Sequence, residues 1–351
     1  MSQPFENLPT TPRSSELVDK AFSRASRAGR AKEGFDAQSS MLQTAANILS
    51  DNLENVVTEW PDFDDLDPFY TDLADAVIAG ETAIGNEEKR GTGALRQHLS
   101  EVTWASRKCA DIRGEYHSKL RNANDVDHAR KLRKQAFARL ADVVEQVEDS
   151  LLAIAAAREA LRDLPDIKPD EPTIVVAGYP NVGKSSFVNS VTRASNEINS
   201  YPFTTTEINV GHFEGADLSA ESARTDRSAM RDHVRYQLVD TPGLLDRPPE
   251  DRNQIESQAV SALEHLADCV LVLVDASGEC GYPIEVQLEL RDALVKQFDE
   301  APVLTVCNKA DRSREVEADY YMSVTEDENV QTVLHAAVDA IDYEPELPFE
   351  E

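Results

Sequence analysis

From residue 14 to about residue 163, apolar positions recur every three or four residues, Ala, Leu, Arg and Glu are abundant, and long stretches hold few Gly or Pro. That spacing predicts amphipathic helices. The plainest stripe is Leu132, Ala136, Leu140, Val143, Val147, Leu151 and Ile154, which predicts one helix over 126–164 with a single apolar face. A lone helix cannot bury such a stripe, so an all-α helical bundle is expected. The segment WPDFDDLDPFY at 60–70, rich in Asp and Pro, reads as a loop carrying aromatic anchors between helices. After Pro165, Pro169 and Pro172 the period changes. Apolar runs at 173–177, 207–213, 234–239, 269–274, 303–307 and 319–322 predict strands, and helices are expected to begin near Lys184, Asn253, Pro283 and Glu326. Strands alternating with helices predict a mostly parallel sheet with helices on both faces. The polar stretch 214–232 reads as a hairpin insertion and 343–351 as a frayed tail. The expected domains are therefore 1–168 (helical), 169–343 (α/β) and 344–351 (acidic tail).

Composition changes this picture in one respect. The 351 residues carry 35 Lys+Arg against 65 Asp+Glu, a net charge of -30. Only 11 of the basic residues are Lys, and the acids are scattered over the whole chain. Such an excess is tolerable in concentrated salt, where self-repulsion is screened within a few ångströms, so the acidity reads as salt adaptation and not as a functional acidic surface. Cys109, Cys269, Cys280 and Cys307 form no CxxC pair, and two of them lie in apolar runs, as reduced, packed cysteines do. No stretch approaches 18 apolar residues, and the opening MSQPFENLPTTPRSSELVDK lacks the apolar core of a signal peptide. A soluble cytoplasmic protein without a membrane partner is expected.

The candidate chemistry lies in the second half. Gly178-Tyr-Pro-Asn-Val-Gly183-Lys184-Ser185 fits GxxxxGK[ST] and sits between an apolar strand and a helix, the context that motif requires. Backbone N–H groups of Asn181, Val182, Gly183, Lys184, Ser185 and Ser186 can surround phosphate oxygens, with Lys184 reaching the β- and γ-phosphates and Ser185 ligating Mg²⁺. Asp240-Thr-Pro-Gly243 follows another apolar strand; Asp240 can hold Mg²⁺ through water and Gly243 can offer its N–H to the γ-phosphate. Asn308-Lys309-Ala310-Asp311 closes a third strand, at the edge where open parallel sheets collect ligands. A carboxylate there accepts from guanine N1–H and its exocyclic amine, a donor pair adenine lacks, which selects GTP and GDP. Ser323 and Val324, after the last strand, are placed to touch the base through backbone N–H. Together these motifs predict an α/β P-loop GTPase domain preceded by the all-α bundle.

Tyr201-Pro-Phe-Thr204-Thr205-Thr206 lies about twenty residues after Ser185. Thr205 is the expected third Mg²⁺ contact and γ-phosphate sensor, with Thr204 beside it; the alternative is a Thr-rich strand entry. Lys184, Thr205 and Gly243 are the expected catalytic groups. Where many GTPases carry a water-orienting glutamine after DxxG, this chain has Leu244 and Leu245. Slow hydrolysis is expected, assisted by a partner, another switch residue or a monovalent cation. Asn181 is a candidate K⁺ ligand, or else stabilises its own turn.

GYPNVGKSSFVN, YPFTTTEINVGH, QLVDTPGLLDRPPEDRN, SGECGYPIEVQLEL and WPDFDDLDPFY, with the basic helix near 130–139, resemble the nucleolar GTP-binding protein 1 (Nog-type) family, which is related to Obg GTPases. The resemblance implies a role in large ribosomal subunit biogenesis, with the pre-ribosomal large subunit and its rRNA, and ribosomal or assembly proteins, as partners. Eukaryotic relatives continue into a long C-terminal extension; a chain that stops here with this acidity suggests a haloarchaeal member, for which a nucleolar location has no meaning. Charge favours RNA in one place. Between 107 and 139 stand ten Lys or Arg against four acids, a local +6, and a second basic run covers 13–32. Such a run can track RNA phosphates or be a solvated helix face. The alternative function is a guanine-nucleotide-regulated scaffold or sensor that binds protein partners and barely hydrolyses.

Overall fold

The computed structural model describes residues 4–80, 85–86, 89–162, 164, 167–192, 197–199, 208–215, 234–241, 243–247, 249–252 and 254–341. Two compact units are present, one made of Pro4–Asp65 and Val77–Arg162, the other containing Leu66–Ala76 and Asp163–Glu351.

The first unit is helical: α1 (Ser14–Arg30), α2 (Gly34–Thr58), the end of α3 (Pro68–Gly80), α4 (Gly91–Arg121), α5 (Val126–Glu145) and α6 (Glu148–Arg162), with a small hairpin of β1 (Gly85–Asn86) and β2 (Lys89–Arg90) before α4. Its core is a stack of aliphatic positions at helical spacing, including Leu17, Leu42, Leu49, Leu53, Leu95, Val102 and Leu140, all buried. Phe22 of α1 stacks on Phe137 of α5 at 4.4 Å, with the Arg133 guanidinium 4.9 Å from the Phe137 ring.

The helix expected over 126–164 is two helices. The chain breaks step at Gln146 and Val147, where Val147 N–H bonds Val144 O at 3.4 Å in a tighter turn. The apolar stripe continues through the break because Val143, Val147 and Leu151 all stay buried. The acidic pair Glu148 and Asp149 opens α6, and Glu148 Oε2 accepts the Ser14 N–H at 2.7 Å, capping α1.

The 60–70 loop also ends earlier than expected. Pro68 is the first residue of α3, where its missing N–H costs nothing, and Asp67 Oδ1 caps the turn by accepting from Phe69 N at 2.9 Å. Leu66–Ala76, which the 1–168 boundary assigns to the bundle, groups with the sheet unit. Tyr70 Oη donates to Ile167 O at 2.6 Å, and Asp72 accepts from Ser261 Oγ at 2.8 Å.

The second unit contains β3 (Thr173–Ala177), α7 (Lys184–Val191), β4 (Glu197–Asn199), β5 (Ile208–Glu214), β6 (Arg235–Asp240), α8 (Gln254–Leu266), β7 (Cys269–Asp275), α9 (Ile284–Gln297), β8 (Val303–Asn308), β9 (Tyr320–Tyr321) and α10 (Val330–Ala340). The sheet order is β4-β5-β6-β3-β7-β8-β9. The run from β6 to β9 is parallel, while β5 pairs antiparallel with β6 and with β4. Central strands buried on both faces need apolar residues at every position, and TIVVA and CVLVLVD meet that need with no exposed residue. Ile174, Val176, Leu271 and Leu273 join Phe187 of α7 and Val333 and Ala337 of α10 in one core. Their alternates Val175, Val270, Val272 and Val274 are equally buried on the other face. The expected mostly parallel sheet, covered on both faces and preceded by a helical domain, is the observed fold. The 214–232 insertion, apart from its first two residues, and the 343–351 tail lie outside the described residues.

All four cysteines are buried free thiols. Burial pushes the Cys109 and Cys269 thiols up to about 12, so neither forms thiolate near neutrality. At pH 8 an aromatic disulfide reagent should leave both unlabelled in the folded protein and label both in denaturant. Rapid native labelling of Cys109 would contradict its packing between α4 and its neighbours.

Candidate functional site

Three loops leave the same edge of the parallel strands: after β3, after β6 and after β8. The first turns on glycine. Gly178 has φ 132 and Gly183 φ 107, both left-handed values that side chains resist, and a Cβ on Gly178 would stand 2.4 Å from Leu273 O. Asn181 adopts φ 65, a conformation Asn tolerates, which fits its turn-stabilising reading. Gly183 is the N-cap of α7, so the loop ends at first-turn N–H groups that have no partner within their own helix. Lys184 is buried, its Nζ donating to Gly178 O at 2.6 Å and Tyr179 O at 3.2 Å. Burial lowers its pKa, while the Asp240 and Asp246 carboxylates pull it back up. Val182 is buried in the core, and Ser185 and Ser186 are exposed on the first turn.

The second loop brings oxygen donors to that turn. Asp240 ends β6 fully buried, and its Oδ2 accepts from Ser185 Oγ at 2.5 Å. A hydroxyl and a carboxylate side by side beside helix N–H groups suit a hard divalent cation next to a polyphosphate. The glycine loop suits the phosphates, because it leads directly into the N-terminus of α7, where helix N–H groups favour an anion. Thr241 Oγ1 donates to Val176 O at 3.0 Å and fastens the loop to β3, and Leu245 O accepts from Gly178 N at 3.1 Å. Leu244 and Leu245 are buried. Neither side chain reaches solvent where an attacking water would need orienting.

The third loop joins the first. Asn308 Nδ2 donates to Val182 O at 2.8 Å, and Asn308 Oδ1 accepts from Val324 N at 3.3 Å. Lys309, at φ 55, reaches back to Asp275 Oδ2 at 2.7 Å. Asp275 is fully buried at the end of β7; burial opposes its ionisation, but Lys309, Ser277 Oγ and Ser277 N–H outweigh it and hold its pKa low. Asp311 lies 3.5 Å from Arg312 Nε, and Arg312 also pairs with Glu279. Ser323 is buried, and its N–H already serves Glu328 O at 3.0 Å, which leaves Val324 as the loop amide with the longer, weaker bond.

Comparison with known proteins assigns the frame. The family description "NOG1 N-terminal helical domain" matches residues 5–168, and "Nucleolar GTP-binding protein 1 (NOG1)" matches residues 254–311. The chain belongs to the nucleolar GTP-binding protein 1 family. An uncharacterized protein of Methanocaldococcus jannaschii is 36% identical over 88% of this chain and 81% of its own length. Nucleolar GTP-binding protein 1 of Drosophila melanogaster is 33% identical over 74% of this chain and 36% of its own, and that of Caenorhabditis elegans 32% identical over 88% and 42%. The chain thus spans less than half the length of these two nucleolar relatives.

Within this member of the nucleolar GTP-binding protein 1 family, the structure bonds Ser185 to Asp240, Asn308 to Val182 and Val324, Lys184 to the carbonyls of Gly178 and Tyr179, and Lys309 to Asp275, with Gly183 packed against Asn308. Gly243 lies in the same loop as Asp240, while Thr204 and Thr205 fall outside the described residues. Asp275 and Asp246 went unread in the sequence. Asp275 had one visible signal, an acid closing an otherwise apolar strand. Among the described residues no cluster of three His, Cys, Asp or Glu side chains has the geometry to hold a metal by itself, and no helix is long and apolar enough to cross a membrane.

Proposed function

We propose that the chain is a GTP- and GDP-binding switch that hydrolyses GTP slowly with Mg²⁺ and acts in the cytoplasm during assembly of the large ribosomal subunit. Residues 169–343 form the nucleotide domain, 1–168 the domain that meets rRNA or assembly proteins, and 344–351 a tail. The observation that carries this reading is the bonding of three sheet-edge loops to one another: Asn308 to Val182, Gly178 to Leu245, and Ser185 to Asp240. Phosphate amides, cation oxygens and a base-reading carboxylate then stand along one edge. Lys184 grips the terminal phosphates, Gly243 N–H meets the γ-phosphate, and Ser185, Asp240 and Thr205 hold Mg²⁺, which supplies positive charge to the phosphate oxygens. Asp311 reads guanine, with Lys309 and the Val324 amide beside the base.

Charge supports an RNA partner. Arg107, Arg121, Lys131 and Lys134 are exposed and have no ion-pair partner among the described residues, so they are available to phosphates. Buried Leu244 favours a second reading, a nucleotide-regulated scaffold with negligible hydrolysis. Turnover measured in K⁺ and in Na⁺, with and without large-subunit precursor particles, separates the two. Stimulation by precursors, or by K⁺ through Asn181, is expected; no stimulation by either would favour the scaffold.

A further inference from the structure

We infer that the Asp246 carboxylate is a built-in competitor for the γ-phosphate and sets how strongly the site distinguishes a nucleoside triphosphate from a diphosphate. The inference rests on the proposed nucleotide site. Gly243 carries the amide expected to meet the γ-phosphate, and in this structure that N–H donates to Asp246 Oδ2 at 2.9 Å. The same carboxylate is also near enough for its charge to favour the protonated Lys184 ammonium, the other group expected to hold the terminal phosphate. Asp246 thus takes one partner of the γ-phosphate and feels the field of the second.

The neighbouring bonds let the carboxylate leave without dragging the loop. Leu244 and Leu245 are buried, Leu245 O is held by Gly178 N, and Gly243 O accepts from Arg247 Nη2 at 3.3 Å. Arg247 is itself anchored to Glu256 of α8 at 2.7 Å. Asp246 is only half-buried, so its side chain can rotate into water. A diphosphate ends short of Gly243, and the contact survives. A triphosphate brings a second anion to the same N–H, and two anions cannot share one donor at contact distance. Each binding of triphosphate therefore expels Asp246, and each loss of the γ-phosphate lets it return.

The test is titration of the full chain with GDP and with a non-hydrolysable imido analogue of GTP, in Mg²⁺, for wild type, Asp246→Ala and Asp246→Asn. Asp246→Ala should raise affinity for the analogue relative to GDP about tenfold, equivalent to about 1.4 kcal/mol. Asp246→Asn, which keeps an acceptor but loses the charge, should fall between. Equal shifts for both nucleotides, or an unchanged ratio in proteins that still bind GDP, would overturn the inference. A wild-type chain that bound neither nucleotide would instead overturn the reading of the site itself, and this inference with it.

Discussion

Asp311→Asn should weaken GTP binding on the order of a thousandfold and make xanthosine triphosphate the preferred ligand. Guanine presents two donors, N1–H and the exocyclic amine, to a carboxylate that accepts both. Hydrogen bonds to a charged group contribute about 1.5–3 kcal/mol each, so losing one, weakening the other and setting a donor against the exocyclic amine costs about 4 kcal/mol, roughly three orders of magnitude. An amide keeps one acceptor and turns a donor toward the other position. Xanthine carries a carbonyl there and accepts that donor. The backbone holds the residue in place for this exchange: Ala310 N bonds Met322 O at 3.0 Å, Lys309 sits at φ 55 tied to Asp275, and Arg312 N bonds Lys309 O at 2.9 Å. Titration of both triphosphates against the variant measures the effect. An unaltered preference would mean that another group reads the base.

The parts of the fold that were legible in the sequence are those where one local rule acts alone. TIVVA and CVLVLVD are short β-branched runs that read as fully buried strands, and each of the three proposed nucleotide motifs is a contiguous string whose spacing is fixed by a turn. Elsewhere two signals compete. Asp67-Pro68 reads as punctuation, yet the same pair is a helix start, since Asp caps and Pro costs nothing in the first turn. The break at Gln146 leaves no mark because the buried stripe runs across it. β4 has three residues, Glu-Ile-Asn, and among the described residues pairs with β5 alone, so it carries no apolar run to be read.

In the site, Asp275 was unread because it acts across loops: it accepts from Lys309, 34 positions away, and no spacing rule encodes a contact that depends on how two turns are held against one another. Asp246 is local, accepting from the amide of Gly243 three positions before it, but its role follows from the geometry of the turn and not from a motif. Leu244 was legible as an absence of catalytic chemistry; its burial beside Leu245 supplies the reason, since both side chains anchor the loop to the core. The helical unit shows the same division. Its apolar stripes were plain in the sequence, whereas the inclusion of Leu66–Ala76 in the sheet unit follows from Tyr70 and Asp72, whose partners lie at least 97 positions away.

Gly183→Ala should lower affinity for both GTP and GDP on the order of a hundredfold while leaving a folded protein, whereas Gly178→Ala should prevent folding. Both glycines have left-handed φ, 107 and 132, where an L side chain costs about 1–3 kcal/mol. What the new methyl meets decides the rest. At Gly183 it would stand 2.2 Å from Asn308 Nδ2, the end of a side chain that can move. Its movement breaks the bond to Val182 O and releases the Val324 amide, so the phosphate loop and the base loop lose their common tie. Misaiming one or two amides at a charged phosphate forfeits about 1.5–3 kcal/mol each, which gives the hundredfold loss. At Gly178 the methyl would stand 2.4 Å from Leu273 O, a carbonyl within central strand β7 that cannot yield without disturbing the sheet. Nucleotide titration and thermal melting of the two variants separate these outcomes. Wild-type GDP affinity in Gly183→Ala would show that the Asn308 bond to the phosphate loop is dispensable for holding the phosphates.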